Sequence, residues 1–262
     1  MIFRNLLLFL IGCGIFNAEI NTEIEQLAPG IVQSIIIPVL RSSDIKKVSV
    51  HLPYLQLNPA SPLEEYRQFS SLSIIKVVNA FNGYEADPFV VHLTSEFEDS
   101  VMHFPISESN KKALIDIALS QIRKSLEEII RNTGISPEKL ALENLEVFPF
   151  DLLIEIVKDY GISICFDMGH WGLNGFMPAE FFKKFGPEKI REIHIQGMTE
   201  ERQGLRTFIR REHQSLGRGV LNAAGFFNYL ADINFNGSLI IENRSKAELI
   251  ESIGFLKKNG FL

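Results

Sequence analysis

The sequence has little cysteine and no excess of basic residues. Its only two cysteines, Cys13 and Cys165, are too few for a disulfide framework, so a reducing cytosol is expected. The formal net charge of −6 provides no basic field of the kind that attracts proteins to a phosphate backbone. We therefore expect no nucleic-acid partner, which also argues against an endonuclease that acts on damaged DNA.

The chain also has no apolar run near the roughly 20 residues needed to cross a bilayer. Near its start, Arg4 precedes the run Leu6–Ile11, and Leu10–Cys13 resembles a lipoprotein cleavage box. These charged and apolar regions span only about a dozen residues, which is short for a secretory signal. We predict a buried first strand over Leu6–Cys13 in a cytoplasmic protein without a membrane partner, and keep the lipoprotein signal as the alternative.

No repeat, low-complexity segment or Gly/Ser linker divides the 262 residues, so one domain over 1–262 is expected. The Gly-rich phosphate turn of dinucleotide-binding open sheets is missing as well. Eight apolar, β-branched runs alternate with amphipathic segments, which predicts the α/β class and a single (β/α)8 barrel, the TIM barrel. The predicted strands are Leu6–Cys13, Ser34–Val39, Lys47–His51, Phe89–Leu93, Leu140–Asn144, Ser163–Asp167, Glu192–Ile195 and Ser238–Asn243.

One helix is predicted over Lys111–Arg131, where apolar residues recur at spacings of three and four. Gly134 and Pro137 are expected to end this helix. Further helix starts are predicted at Asp151, Pro178 and Ser245.

Functional residues of such a barrel lie at the carboxyl ends of its strands. Five of the six histidines fall at or after predicted strand ends, and only His103 lies elsewhere. Each alone has a structural explanation, such as a hydrogen-bonded polar residue or a helix cap. Three carboxylates buried beside five imidazoles would be costly without a cation, so the set predicts a catalytic site for Zn, with Mn or Fe as alternatives. The set is His51, His92, His170, His194, His213, Glu143, Asp167 and Glu242.

Two segments add detail to this site. Asp167 and His170 stand three residues apart across a tight turn, and the following Trp171 is expected to form a wall or lid. A glycine-containing segment, 212–219, follows the seventh predicted strand. The arginines before it suggest an anionic substrate such as a phosphoester, or else a solvated loop surface; they are Arg206, Arg210 and Arg211.

Seven motifs together resemble the xylose-isomerase-like barrels, a superfamily that includes endonuclease-IV-type enzymes and sugar isomerases or epimerases. They are Val-His-Leu-Pro at 50–53, Val-Val-His-Leu at 90–93, Leu-Glu-Asn at 142–144, Asp-Met-Gly-His at 167–170, the strand with His194, His-Gln-Ser-Leu-Gly-Arg-Gly at 213–219 and Ile-Ile-Glu at 240–242. His-Leu-Pro, Glu-Asn-Leu-Glu-x-x-Pro at 143–149 and His-x-Ser-Leu at 213–216 are most similar to the cobamide-remodelling phosphodiesterase family. The chain departs from that family at 54–57, where acidic residues are missing, and at Glu212, where Asp is commoner.

The resemblance implies that Glu143 bridges two metals. One metal would also be held by His51 and His92, and the other by Asp167, His194 and Glu242. His170 and His213 match ligands of a third metal, but the Asp that completes this set aligns with Arg211. Two ions, or two with a weak third, are therefore expected.

The implied reaction is hydrolysis of the nucleotide-loop phosphoester of a cobamide, which releases the lower-ligand riboside and leaves cobinamide phosphate. Metal would lower the pKa of a water molecule, and this water would then attack phosphorus. Arg218 or Arg206 would neutralise the charge on the phosphate oxygens. Expected substrate contacts are Tyr54, Asn144, Trp171, Gln196 and Arg218.

Two other functions remain open. A single-metal sugar or sugar phosphate isomerase or epimerase would need only Glu143, Asp167, His194 and Glu242, with both glutamates moving protons next to a carbonyl. A barrel that binds a corrinoid or sugar without turnover is the non-enzymatic alternative. In each case the partner is a small molecule, and the oligomeric state is left open.

Overall fold

A computed structural model describes residue 15 and residues 17–146, 148–175, 177–203 and 207–262. These residues form two compact units: one contains the residues up to 143 and 148–163, the other 144–146 and 164–262. Over the described part of the chain, every helix is too short or too polar to cross a membrane. The predicted strand Leu6–Cys13 lies outside the described residues. A single domain over 1–262 stays a prediction.

Four parallel strands lie side by side in chain order in the first unit. They are β1 (Asn17–Asn21), β2 (Lys47–His51), β3 (Phe89–Val91) and β4 (Leu140–Glu143). β1 pairs with β2 from Asn17 opposite Lys47 to Asn21 opposite His51. Because all four strands run the same way, the residues at their carboxyl ends leave the sheet at one edge.

Six α-helices belong to the described part of this unit: α1 (Glu23–Leu27), α2 (Ile37–Arg41), α3 (Glu64–Ala80), α4 (Glu96–His103), α5 (Glu108–Thr133) and α6 (Ile154–Tyr160). α5 confirms the helix predicted over Lys111–Arg131. The hydroxyl of Ser107 accepts the N–H of Asn110 at its start, and Gly134 ends it in the left-handed conformation with φ of 67°. The helix start predicted at Asp151 falls in a short 3-10 turn, Phe150–Leu152, just before α6.

The strand predicted at Ser34–Val39 is wrong, because these residues are helical. A π-helical turn, Val32–Ile36, leads directly into α2. The buried side chains are Val32, Ile36, Ile37 and Leu40, whereas Ile35 is 51% exposed. That spacing follows one face of a helix, and a short β-branched run cannot be told from a buried helix by composition alone.

β1 was not among the predicted strands. Its sequence Asn-Ala-Glu-Ile-Asn is polar at alternate positions, and only Ala18 and Ile20 are buried. Strands with a single buried face show this alternation. β1 has neither the continuous apolar run nor the several β-branched residues that indicated the predicted strands, since Ile20 is its only β-branched residue.

The second unit contains three parallel strands: β5 (Ser163–Asp167), β6 (Ile190–Ile195) and β9 (Ser238–Ile241). The first residue of β5, Ser163, is assigned to the first unit. An antiparallel hairpin is formed by β7 (Gly197–Gln203) and β8 (Thr207–Gln214). β6 lies between β5 and β9. The helices are α7 (Met168–Leu173), α8 (Pro178–Phe185), α9 (Ala223–Asp232) and α10 (Lys246–Lys258). The helix starts predicted at Pro178 and Ser245 are confirmed, since Pro178 opens α8 and the Ser245 hydroxyl caps α10.

Six predicted strands are thus confirmed across the two units, each considered separately. Lys47–His51 and Ser163–Asp167 keep their predicted bounds. Those predicted at Phe89–Leu93, Leu140–Asn144, Glu192–Ile195 and Ser238–Asn243 differ at one end by one or two residues.

A buried arginine joins α3 to α5 in the first unit. The guanidinium of Arg67, whose side chain is 1% exposed, donates to Glu64 and Glu128 at 2.7 and 2.8 Å. It also donates to Ser125 Oγ at 3.1 Å. Because burial of an unpaired charge is costly, these acceptors are what allow Arg67 to lie inside.

Replacement Arg67→Met should lower the free energy of unfolding by about 3 kcal/mol, the lower end for loss of one partner of a buried ion pair. The lower end is expected because the two carboxylates left behind are partly exposed to water. Urea unfolding measures the change. Arg41→Met is the control, since the exposed Arg41 donates to the Gly83 carbonyl and should contribute about 1 kcal/mol or less. Equal losses in both variants would contradict the assignment.

The effect of Arg67→Met should shrink as the pH falls from 7 to 3. The hydrogen bond from Arg67 lowers the pKa of Glu64 from 4.5 to about 2, although desolvation opposes it. A carboxyl whose pKa is depressed by folding contributes stability above its unfolded pKa, and this contribution is lost toward its folded pKa. Urea unfolding of both proteins across this range measures the difference. A pH-independent difference would show that the charge of Glu64 contributes nothing.

Candidate metal centres and their surroundings

In the first unit, two imidazoles meet one carboxylate. His51 ends β2, His92 follows β3 and Glu143 ends β4. The Nε2 atoms of His51 and His92 lie 3.2 and 2.8 Å from the same Glu143 Oε2. The structure therefore brings these three predicted ligands together, nearly shielded from solvent.

The hydrogen bonding of His51 indicates that this set fits a cation. His51 Nδ1 lies 3.1 Å from the carbonyl oxygen of Leu52, which can only accept, so Nδ1 carries the proton. In the neutral ring, Nε2 then points a lone pair at the Glu143 carboxylate, and a second proton or a metal ion must lie between them. The contact of 3.2 Å is near the roughly 3.3 Å between ligand atoms around tetrahedral zinc, whereas that of 2.8 Å is a hydrogen-bond distance that would lengthen on metal binding.

Tyr54, a predicted substrate residue, lies beside this set. Its ring centroid is 4.5 Å from that of His92 and 5.2 Å from that of His51. The backbone N–H groups of Tyr54 and Leu55 donate to the carboxylate of Glu23. This contact fixes the loop after β2 and with it the Tyr54 ring.

The second unit brings Asp167, His194 and Glu242 together. His194 Nδ1 lies 3.9 Å from Asp167 Oδ2 and 3.6 Å from Glu242 Oε1. Asp167 and His194 have fully buried side chains, whereas that of Glu242 is 22% exposed. Two carboxylates and an imidazole form a mixed oxygen and nitrogen set that suits Zn or Mn.

Asn144 and Gln196, two predicted substrate residues, contact Asp167. The Asn144 amide bonds both backbone groups of Asp167, accepting its N–H at 2.9 Å and donating to its carbonyl at 3.0 Å. Gln196 donates from Nε2 to Asp167 Oδ2 at 2.7 Å. Both residues are buried, and these contacts fix the orientation of Asp167.

A further set in this unit surrounds His170 and His213. His170 Nδ1 lies 3.3 Å from Glu146 Oε1 and 3.1 Å from Glu212 Oε2. His213 uses its two ring nitrogens, with Nε2 3.3 Å from Glu212 and Nδ1 3.6 Å from Glu242. His213 therefore lies between this set and Glu242.

The surroundings favour charge on these groups. Burial raises the pKa of the Glu212 carboxyl, but hydrogen bonds from His170 and His213 outweigh burial and hold that pKa well below its usual range. The hydrogen bond from His170 also lowers the pKa of Glu146. Burial lowers the pKa of His213, but Glu212 and Glu242 together raise it above its ordinary value. Ionised carboxylates around these imidazoles are suited to hold a cation.

The structure brings Glu212, and not Arg211, to His170 and His213. Arg211 itself offers no donor, as predicted, but the neighbouring Glu212 places a carboxylate beside both imidazoles. The number of ions stays a prediction. Arg211 is exposed and pairs with Glu201 at 3.5 Å. Sequence reasoning missed Glu146 and Glu212 as members of the set, although Glu146 stands in the motif at 143–149 and Glu212 directly precedes the motif at 213–219.

The remaining predicted residues lie apart from these contacts. Arg218 pairs with Glu251 of α10 at 2.8 Å. Arg210 pairs with Glu200 across the hairpin. Trp171 donates to the carbonyl of Met177 at 3.2 Å and packs against rings of α8, Phe181 and Phe185. Arg206 lies outside the described residues.

Comparisons with known proteins agree with this fold. The sequence profile of the family described as "Xylose isomerase-like TIM barrel" matches residues 39–259. An uncharacterized protein of Methanocaldococcus jannaschii is 30% identical over an alignment 222 residues long, which covers 81% of this chain and 69% of that protein.

Solved structures agree in fold. A D-tagatose 3-epimerase-like protein superposes with a TM-score of 0.71 at 24% identity, covering 94% of this chain and 88% of that one. Endonuclease IV from Thermus thermophilus gives 0.65 at 14% identity, covering 98% and 93%. At such identities the likeness concerns the fold alone. Together with the profile match, it confirms the predicted α/β class and TIM barrel fold.

Replacement His92→Leu should lower the metal retained by protein purified without chelator by about one ion per chain. The reason is that the first unit's set would keep only two of its three donors. Emission spectroscopy gives the metal content. His103→Leu is the matched control, because His103 is exposed at the end of α4. Equal metal content in the two variants would rule out a metal held by His51, His92 and Glu143.

Proposed function

Because the chain belongs to the xylose isomerase-like TIM barrel family, we propose that it is a metal-dependent isomerase or epimerase of a sugar or sugar phosphate. The observation that carries the proposal is the grouping of Asp167, His194 and Glu242 in the second unit. The likeness in fold to a D-tagatose 3-epimerase-like protein supports it. When bound, a divalent metal supplies electrophilic polarisation of substrate oxygens.

Glu242 is the member of this set best placed to exchange a proton with substrate. Its side chain is partly exposed, whereas Asp167 and His194 are closed off from solvent. In the proposed reaction, a carboxylate removes the proton from the carbon next to a carbonyl, and the electron pair moves toward the carbonyl oxygen. Return of the proton to the other face of that carbon, as the electron pair moves back from the oxygen, gives an epimer. Return of the proton to the neighbouring carbon gives an isomer, because the hydroxyl proton of the first carbon passes to the former carbonyl oxygen and a carbonyl forms at the first carbon. The family resemblance assigns the second proton carrier to Glu143.

Proton abstraction can be tested before the substrate is known. Metal-loaded protein incubated in D2O with a panel of ketoses, aldoses and their phosphates should introduce deuterium next to the carbonyl, detected by NMR. Glu242→Gln should slow this exchange at least about 100-fold, because a proton-transferring side chain contributes roughly that much or more. Glu155→Gln, at an exposed surface glutamate, is the control. Exchange that is equally fast in Glu242→Gln, or missing for the whole panel, would contradict the proposal.

A second candidate is favoured by the metal-binding groups beyond this set. A one-metal epimerase does not require His51 with His92, nor His170 and His213 with Glu212. Several metal sites are common where a phosphoester is hydrolysed. The motifs at 51–53, 143–149 and 213–216, which resemble the cobamide-remodelling phosphodiesterases, point the same way.

In this second candidate, water adds to phosphorus while the bond to the riboside oxygen breaks, and the leaving oxygen gains the proton. Incubation with adenosylcobalamin and with a generic phosphodiester, followed by mass analysis, would detect the released riboside or alcohol. Release without sugar exchange would replace the first candidate by the second. Metal content of one ion per chain, unchanged in His92→Leu, would remove the reason for the second.

A further inference from the structure

The carboxamide of Gln196 bonds Asp167, a member of the second unit's candidate metal set with His194 and Glu242, and also His213, whose imidazole contacts Glu242. Its Nε2 donates to Asp167 Oδ2 at 2.7 Å, and its Oε1 accepts the backbone N–H of His213. Gln196 follows β6 directly and is fully buried. One neutral side chain thus joins the carboxylate of one strand end to the backbone of the hairpin base.

The backbone of His213 needs such contacts. Its φ of 56° lies in the left-handed region, which residues other than glycine seldom occupy unless their surroundings hold them there. Gln196 bonds the N–H of His213, and Asn243 Nδ2 donates to its carbonyl at 3.2 Å. Contacts on both sides of the residue therefore keep its imidazole toward Glu212 and Glu242.

We propose that Gln196 is a positioning residue that aligns Asp167 and His213 for a divalent cation. By donating to Oδ2 of Asp167, the amide orients this carboxylate while leaving a further lone pair on the same oxygen for metal. Oε1 of Gln196 accepts the backbone N–H of His213 and so fixes the position of His213. The inference rests on the proposed use of metal by these residues, and it assigns Gln196 no contact with substrate.

Gly169 provides the space for this carboxamide. A methyl group at Gly169 would lie 2.7 Å from Oε1 of Gln196 and closer still to its other amide atoms. Because Gln196 is buried and bonded at both ends, it could not move aside without losing these contacts. The contact therefore accounts for a glycine within α7, directly before His170.

Two variants test the proposal by different routes. Gln196→Met keeps the length of the side chain but removes both hydrogen bonds. Gly169→Ala leaves Gln196 chemically intact and takes its space. The matched controls are Gln121→Met, at a buried glutamine that donates to the Ser61 carbonyl, and Gly254→Ala, at a helical glycine with no atom within 4 Å of an added Cβ.

All four changes are made in the His92→Leu protein, so that the first unit's set contributes as little as possible. Each protein is titrated with Co2+ and followed by its visible absorption, and its thermal unfolding is recorded without metal. Gln196→Met and Gly169→Ala should weaken Co2+ binding by about 10- to 100-fold, as loss of an outer partner of a metal ligand does. They should also alter the visible bands at saturation. Both controls should bind Co2+ as the parent does.

Co2+ affinity and bands equal to the parent in both variants would overturn the inference, whatever happens to the unfolding temperature. If Gln196→Met does not fold, the result for Gly169→Ala decides. If the two variants bind Co2+ more weakly than the parent, but the protein exchanges no deuterium into any sugar, the role of Gln196 is supported and only the sugar chemistry is rejected. A parent that binds no Co2+ would overturn both.

Discussion

The hydrogen bonds around Asp167 are the constraint on which the second unit's candidate site depends. This fully buried residue receives Nε2–H of Gln196 on Oδ2 and the N–H of His170 on Oδ1, at 2.7 and 2.6 Å. Asn144 bonds both of its backbone groups. Because an ionised carboxylate is costly to bury without such donors, the contacts that permit burial also fix its direction. The hydrogen bond from the His170 N–H to Asp167 caps α7. The same aspartate therefore fixes the backbone position from which the His170 imidazole extends.

Much of the fold and of the metal-binding groups could be predicted from the sequence for one physical reason. Central parallel strands are covered on both faces, so they appear as continuous apolar runs, and a polar residue at the end of such a run is conspicuous. Ser163–Asp167 shows this pattern, with an apolar run that ends at Asp167. In Lys47–His51 the run is interrupted by Ser49, and the β-branched Val48 and Val50 indicate the strand that ends at His51. The same reasoning found Glu143 at the end of β4. It could not find Asn17–Asn21, where alternate polar residues hide the strand.

The position of Glu212 beside His170 was missed for a different reason, which is the register of the β7–β8 hairpin. Neighbouring residues of a strand point to opposite faces, so a shift of one residue exchanges the side chains that face inward. The pairing shifts between Gly197 and Thr199, after which Thr199 lies opposite Arg211. Arg211 then faces Glu201 while Glu212 contacts His170. Alignment of motifs cannot determine this, because a bulge depends on backbone geometry and leaves no reliable mark on composition.

The surroundings of the arginines bear on whether the substrate carries a phosphate. Arg210 is partly buried and donates both to Glu200 and to the Leu173 carbonyl, so its guanidinium is committed to holding the hairpin against α7. Arg218 and Glu251 are each about half exposed, and an exposed pair of this kind contributes roughly 0–1 kcal/mol. A phosphate could therefore draw Arg218 away from Glu251 at little cost, but not Arg210. The prediction that Arg218 contacts an anionic substrate is therefore compatible with its present partner, whereas Arg210 could bind a phosphate only by giving up its contacts to Glu200 and Leu173.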